Sequence, residues 1–138
     1  MAKIFNISVI IEYSYNFFMN FKKISILTIS FIFLMIIASS FEGNSIPKSY
    51  IFTLDKVIHF IEYCILGFLL INVFSGGSKY PAPLGFIVGV FFSLIDELYQ
   101  STVFGRSSSG LDMIADIAGL IFSIIIIKFF FNSNPYDK

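Results

Sequence analysis

Charged side chains are scarce in this chain: they make up 13% of its 138 residues, where a soluble domain carries about 25%. A fold in water would have too few polar groups to cover its surface. With 57% hydrophobic residues and a mean hydropathy of +0.86, the surrounding solvent must be largely lipid. The few charges cancel, 9 basic against 9 acidic, and form no basic stripe, which argues against a nucleic-acid partner. Cysteine is limited to Cys64, so no internal disulfide can form. Its place in an apolar run marks it as a small buried hydrophobe rather than a reactive thiol. Tryptophan is absent, which leaves the aromatic belt at the membrane surfaces to tyrosine. The 19 phenylalanines accompany an Ile, Asn and Lys bias of the kind an AT-rich genome produces, and carry little functional information. The start MAKIFN lacks the n-region and h-region of a cleavable leader. No cofactor is expected.

Long apolar runs are abundant, and their punctuation predicts an all-α integral membrane four-helix bundle preceded by an N-terminal amphipathic helix. Spanning helices are expected at about 24–40, 55–74, 82–100 and 111–131, each near the ~20 residues that cross a hydrocarbon layer of about 30 Å. Within residues 1–22, Asn6, Ser8, Glu12, Asn16 and Asn20 fall on one helical arc and most of the Ile and Phe residues on the other, a pattern suited to the headgroup region. A fifth span there is the alternative. Residues 41–54 contain Gly, Asn and Pro and read as a loop, with Ser49 to Phe52 dipping back toward the interface. The Ser75–Lys79 stretch is a turn, Pro81 and Pro83 open the third span, and 132–138 is a polar tail. The domain proper is 23–131.

Four crossings put both termini on one side, together with Lys3, Lys22, Lys23, Lys79, Lys128 and Lys138; the other side holds Lys48, Lys56 and Arg106. The positive-inside rule then places both termini in the cytoplasm. In this topology Asp55, Lys56 and His59 open the second span, Asp96, Glu97 and Gln100 close the third, and Arg106 lies in the loop. Asp112 and Asp116 open the fourth. These groups would all lie at one depth beneath the outer leaflet. Asp55, His59 and Tyr63 share a helix face by their four-residue steps, as do Asp112, Asp116 and Gly119. Facing lipid, such groups are costly; facing one another, they can pair. Arg106 can bind a carboxylate through its planar fork, and Gly67 and Gly119 permit close helix contact.

The ordered set Asp55-Lys56-x-x-His59-Phe60-x-x-Tyr63-x-x-Leu66-Gly67, Glu97-x-x-Gln100, Phe104-Gly105-Arg106 and Asp112-x-x-x-Asp116-x-x-Gly119 resembles the VanZ-like membrane proteins. The resemblance covers residues 55–123. It implies a small integral membrane protein of the bacterial cell envelope, in a family named for a member that lowers susceptibility to the glycopeptide teicoplanin. Two positions depart from the family's habit: Asp116, where Asn is more frequent, adds a negative charge, and Ser123 stands where a second Gly is frequent.

The candidate substrate-binding residues are Asp55, Lys56, His59, Tyr63, Glu97, Gln100, Arg106, Asp112 and Asp116, with His59 and Glu97 the candidates for catalysis. His59 can be an acid–base group, a ligand with Glu97, Asp112 or Asp116 to a hard or borderline divalent ion, or a hydrogen-bonded residue that sets helix register. Asp55 and Asp112 can equally be helix-start residues favoured by the dipole. Asp96 reads as exposed, Tyr63 and Tyr99 as packing or interface residues, and Glu62 as a carboxylate in need of a partner. Two functions are open. In one, a pocket between spans two, three and four, lined by His59, Glu97 and Arg106, binds or modifies a lipid-linked or cell-wall-related molecule. In the other, the charges are mutually satisfied and the protein is an accessory subunit, its partner another membrane protein or a second copy. Without internal repeats, four helices give little material for a transporter.

Overall fold

The computed structural model describes the backbone of residues 7–41, 48–106 and 109–130, and the side chains of 20–41, 54–106 and 109–129. Among these residues there are four helices and no strand: α1 (Ile7–Ser39), α2 (Lys48–Ser75), α3 (Pro81–Gln100) and α4 (Gly110–Phe130). Each contains a stretch long and apolar enough to cross a membrane: Asn20–Ser39, Leu54–Ser75, Pro81–Gln100 and Gly110–Phe129. The chain is a multi-pass membrane protein.

Two expected boundaries move. Helix α1 passes through Lys22 and Lys23 without a break, because nothing between Ile7 and Ser39 is Gly or Pro and lysine is a good helix former. An amphipathic N-terminal helix is therefore not a separate element. At ~1.5 Å per residue the whole of α1 is longer than the hydrocarbon layer, so one of its ends must extend beyond the apolar zone. Residues 1–6 and the side chains of 7–19 lie outside the described residues, as does the tail after Phe130. Helix α2 starts at Lys48 rather than Asp55, since no helix breaker follows Pro47; the expected interfacial dip at Ser49 to Phe52 is helical backbone. The third span begins as expected, with Pro81 in its first turn, where a missing N–H is not needed.

Polarity is inverted relative to a water-soluble fold. Ile29, Phe33, Ile87, Phe91, Leu98, Ile114 and Phe129 are exposed, while His59, Ser93, Glu97, Gln100, Asp112, Asp116 and Ser123 are buried. Such an outer surface suits hydrocarbon and would aggregate in water. The apolar centre is formed by Met35, Tyr63, Leu66, Leu70 and Leu120. The most extensive interface is between α2 and α4, and Gly119 and Gly67 make it close. A Cβ at Gly119 would overlap the Phe60 carbonyl oxygen and come 2.9 Å from the Cys64 amide nitrogen; one at Gly67 would overlap the Ser123 hydroxyl. Helix α3 follows the same logic with Gly85 against Ile71 and Gly89 against Leu120. The helices alternate in direction, so the C-terminal ends of α1 and α3 meet the N-terminal parts of α2 and α4.

Candidate functional site

At that shared end, three helices contribute one buried polar cluster. His59, on α2, points at Asp116, on α4, with Nδ1 2.8 Å from Oδ1. Asp116 Oδ2 accepts a 2.6 Å hydrogen bond from the Ser93 hydroxyl of α3. Asp116 and Ser93 are fully buried and His59 is nearly so. Because an ionised carboxylate only accepts, the Nδ1–H of His59 donates to it. Asp116 thereby sets the tautomer and orientation of the imidazole.

Glu97 lies one turn beyond Ser93. Its Oε2 accepts the backbone N–H of Ser109 at 2.8 Å, and Ser109 in turn receives the Asp112 amide on its carbonyl and the Leu111 amide on its hydroxyl. The residue that starts α4 is thus tied to the end of α3. Glu97 is only 9% exposed, and its Oε1 is buried with no hydrogen-bond partner among the described residues, as is the hydroxyl of Tyr63. Tyr63 is entirely buried, one turn from His59, and so is not an interface residue.

Two ion pairs close the rim. Lys56 Nζ is 2.6 Å from Asp112 Oδ1, and an Arg106 terminal nitrogen is 3.1 Å from Asp55 Oδ1. Arg106 therefore meets Asp55 through one contact rather than a two-pronged fork. Gly105, with φ of 78°, supplies the left-handed backbone that turns the chain just before Arg106. Asp55 is not a helix-start residue, since α2 begins at Lys48; Asp112 does lie in the first turn of α4.

A second network sits beside the first. Ser39, on α1, donates to Asp96 Oδ1 at 2.6 Å, and Gln100 donates to Asp96 Oδ2 at 2.9 Å. Asp96 was expected to be exposed; it is half-buried and serves as the acceptor joining α1 to α3. Gln100, expected beside Glu97, bonds to Asp96 and Ser39 instead. Tyr99 shares a 2.9 Å hydrogen bond with Ser40. Glu62 is half-buried and makes no hydrogen bond among the described residues.

The expected convergence of Asp55, Lys56, His59, Glu97, Arg106, Asp112 and Asp116 is therefore present. One donor atom from each of His59, Glu97 and Asp116 lies within 4.8 Å of the others, and Asp55, His59 and Asp112 form a second such set. No cavity described here lies in the expected place among α2, α3 and α4. An apolar cavity of about 160 Å³ opens between α1, α2 and α3, walled by Ile32, Met35, Tyr63, Leu66 and Phe92, with Asp96 and Tyr99 also lining it. Ser39, Ser93 and Ser109 were missed from the sequence. Ser93 had a signal: Gly85, Gly89, Ser93 and Glu97 recur every four residues and form the buried stripe of α3.

Comparison with known families matches residues 2–131 to the family model described as VanZ/LLP1. No curated protein and no solved structure matches the chain.

Proposed function

The chain belongs to the VanZ/LLP1 family, and from that membership and the buried cluster we propose that it is a bacterial cell-envelope protein that binds or modifies the headgroup of a lipid-linked or cell-wall-related molecule. In this reading both termini are cytoplasmic and the polar end of the bundle faces outward. Lys56 and Arg106 at the rim meet a phosphate or carboxylate of the headgroup. His59, held by Asp116, and Glu97 form the inner wall, where they can exchange protons with the ligand. The cavity beside Tyr63 and Asp96 accepts part of a lipid chain. The observation that carries the reading is the pair of buried oxygens on Glu97 and Tyr63 that lack partners among the described residues, since a buried polar atom without a partner costs ~1–3 kcal/mol. Lower susceptibility to glycopeptides such as teicoplanin is the expected phenotype.

The mutual pairing of Asp55 with Arg106 and Asp112 with Lys56 favours a second reading, an accessory subunit whose charges hold its own helices together. Purified wild-type protein and Glu97→Gln, compared by mass spectrometry of extracted lipids and by membrane abundance, separate the two. An enriched phosphorylated lipid that disappears in Glu97→Gln at normal abundance supports a binding site. Equal lipid profiles, or loss of the protein itself, favour the accessory role.

A further inference from the structure

The polar cluster has more negative charge than its own cations balance. Asp112 is paired with Lys56 and Asp55 with Arg106, and Asp96 is half-buried and hydrogen-bonded by Ser39 and Gln100. Glu97 and Asp116 remain, both buried, with His59 as their neighbour. Against two carboxylates, even a charged imidazole supplies one positive charge, and an uncompensated charge in a low-dielectric interior is costly. A divalent cation with a neutral imidazole balances the pair.

We propose that His59, Glu97 and Asp116 hold one divalent cation of the first transition row. Their donor atoms lie within 4.8 Å of one another. Ligands of one ion at bond lengths of about 2.0–2.2 Å stand somewhat closer together than that, so small side-chain rotations bring the three into range. Glu97 Oε1, buried and without a hydrogen-bond partner among the described residues, supplies an independent mark of a ligand position. The set of Asp55, His59 and Asp112 is the poorer choice because the cations Lys56 and Arg106 already neutralise its carboxylates. One nitrogen and two oxygens suit zinc and manganese, with zinc the tighter of the two, and leave coordination positions open. Resting on the function proposed above, those positions are where an oxygen of the headgroup would bind.

The test uses the full chain in detergent, stripped with a chelator and titrated with zinc or manganese chloride by calorimetry, with elemental analysis for stoichiometry. Wild type is expected to take up one equivalent of zinc per chain. Glu97→Gln and Asp116→Asn, which keep shape and remove one charge each, should weaken binding at least ~10-fold, and Ser25→Ala, whose hydroxyl only returns to its own helix, should leave it unchanged. If a variant does not purify, the visible spectrum of the cobalt-loaded wild-type protein reports directly on mixed nitrogen–oxygen ligation. No uptake by wild type, or equal uptake by Glu97→Gln and Asp116→Asn, overturns the cation site. A wild type that binds no metal but still enriches a lipid leaves the proposed function standing, and the converse result separates the two in the other direction.

Discussion

At the scale of single residues, Ser93 decides how Asp116 can sit in an apolar bundle. Asp116 receives one hydrogen bond on each oxygen, from His59 and from Ser93, so removing either donor strands a buried acceptor. Ser93→Ala should lower stability by about 1–3 kcal/mol, read as a fall in apparent Tm in detergent. Ser25→Ala is the comparison: its hydroxyl only returns to the Phe21 carbonyl of its own helix, and its loss should change little. An unchanged Tm in Ser93→Ala would show that the Ser93–Asp116 contact contributes nothing. The resemblance noted above implies Asn more often than Asp at position 116. An Asn could accept from His59 and donate to the Ser93 oxygen, keeping the same geometry without the charge. Ser123 is a milder departure: its side chain occupies the space left by Gly67, so the absence of a Cβ on one helix admits a small side chain on the other.

At the scale of elements, the α2–α4 crossing sets the site. His59 and Asp116 can meet only because their helices approach until Gly119 lies against the backbone of Phe60 and Cys64. Gly119→Ala places a carbon on backbone that cannot rotate away, and should cost about 1–3 kcal/mol through forced separation of the helices. Gly77→Ala, in open space within the α2–α3 turn, should leave the apparent Tm near that of wild type. Equal Tm values for the two variants would mean that the crossing tolerates a wider spacing. Gly67 and Gly119 were legible in the sequence because each lies on the same face as the polar residues of its helix. Gly85, Gly89 and Ser93 lie on an equally regular stripe, yet small residues alone do not announce which neighbour they admit. The long α1 was harder to read: a change from amphipathic to wholly apolar pattern suggests a boundary, but without a breaker the backbone hydrogen bonds continue through it.

At the scale of the whole molecule, apolar side chains lie outside and ionisable ones inside at one end. The outward orientation of that end, proposed above, predicts reactivity from one side only. In a Cys64→Ala background, Ser101→Cys in the α3–α4 connection should react with a membrane-impermeant maleimide on intact cells. Lys79→Cys in the α2–α3 turn should react only after permeabilisation. The reverse pattern would place the cluster at the cytoplasmic face. The count of apolar spans, their alternating direction and the gathering of charges at one end were determined by the sequence alone. A lipid solvent demands runs of about 20 apolar residues, and a charge that must avoid lipid is confined to helix ends and inward faces. Which charge meets which was decided only by tertiary structure. Arg106 pairs with Asp55, Asp96 binds α1 through Ser39, and Glu97 is left with an oxygen unpaired among the described residues. Partner choice depends on the rotation and spacing of packed helices to within an ångström or two, and residue spacing along a single helix carries no information about its neighbour's rotation.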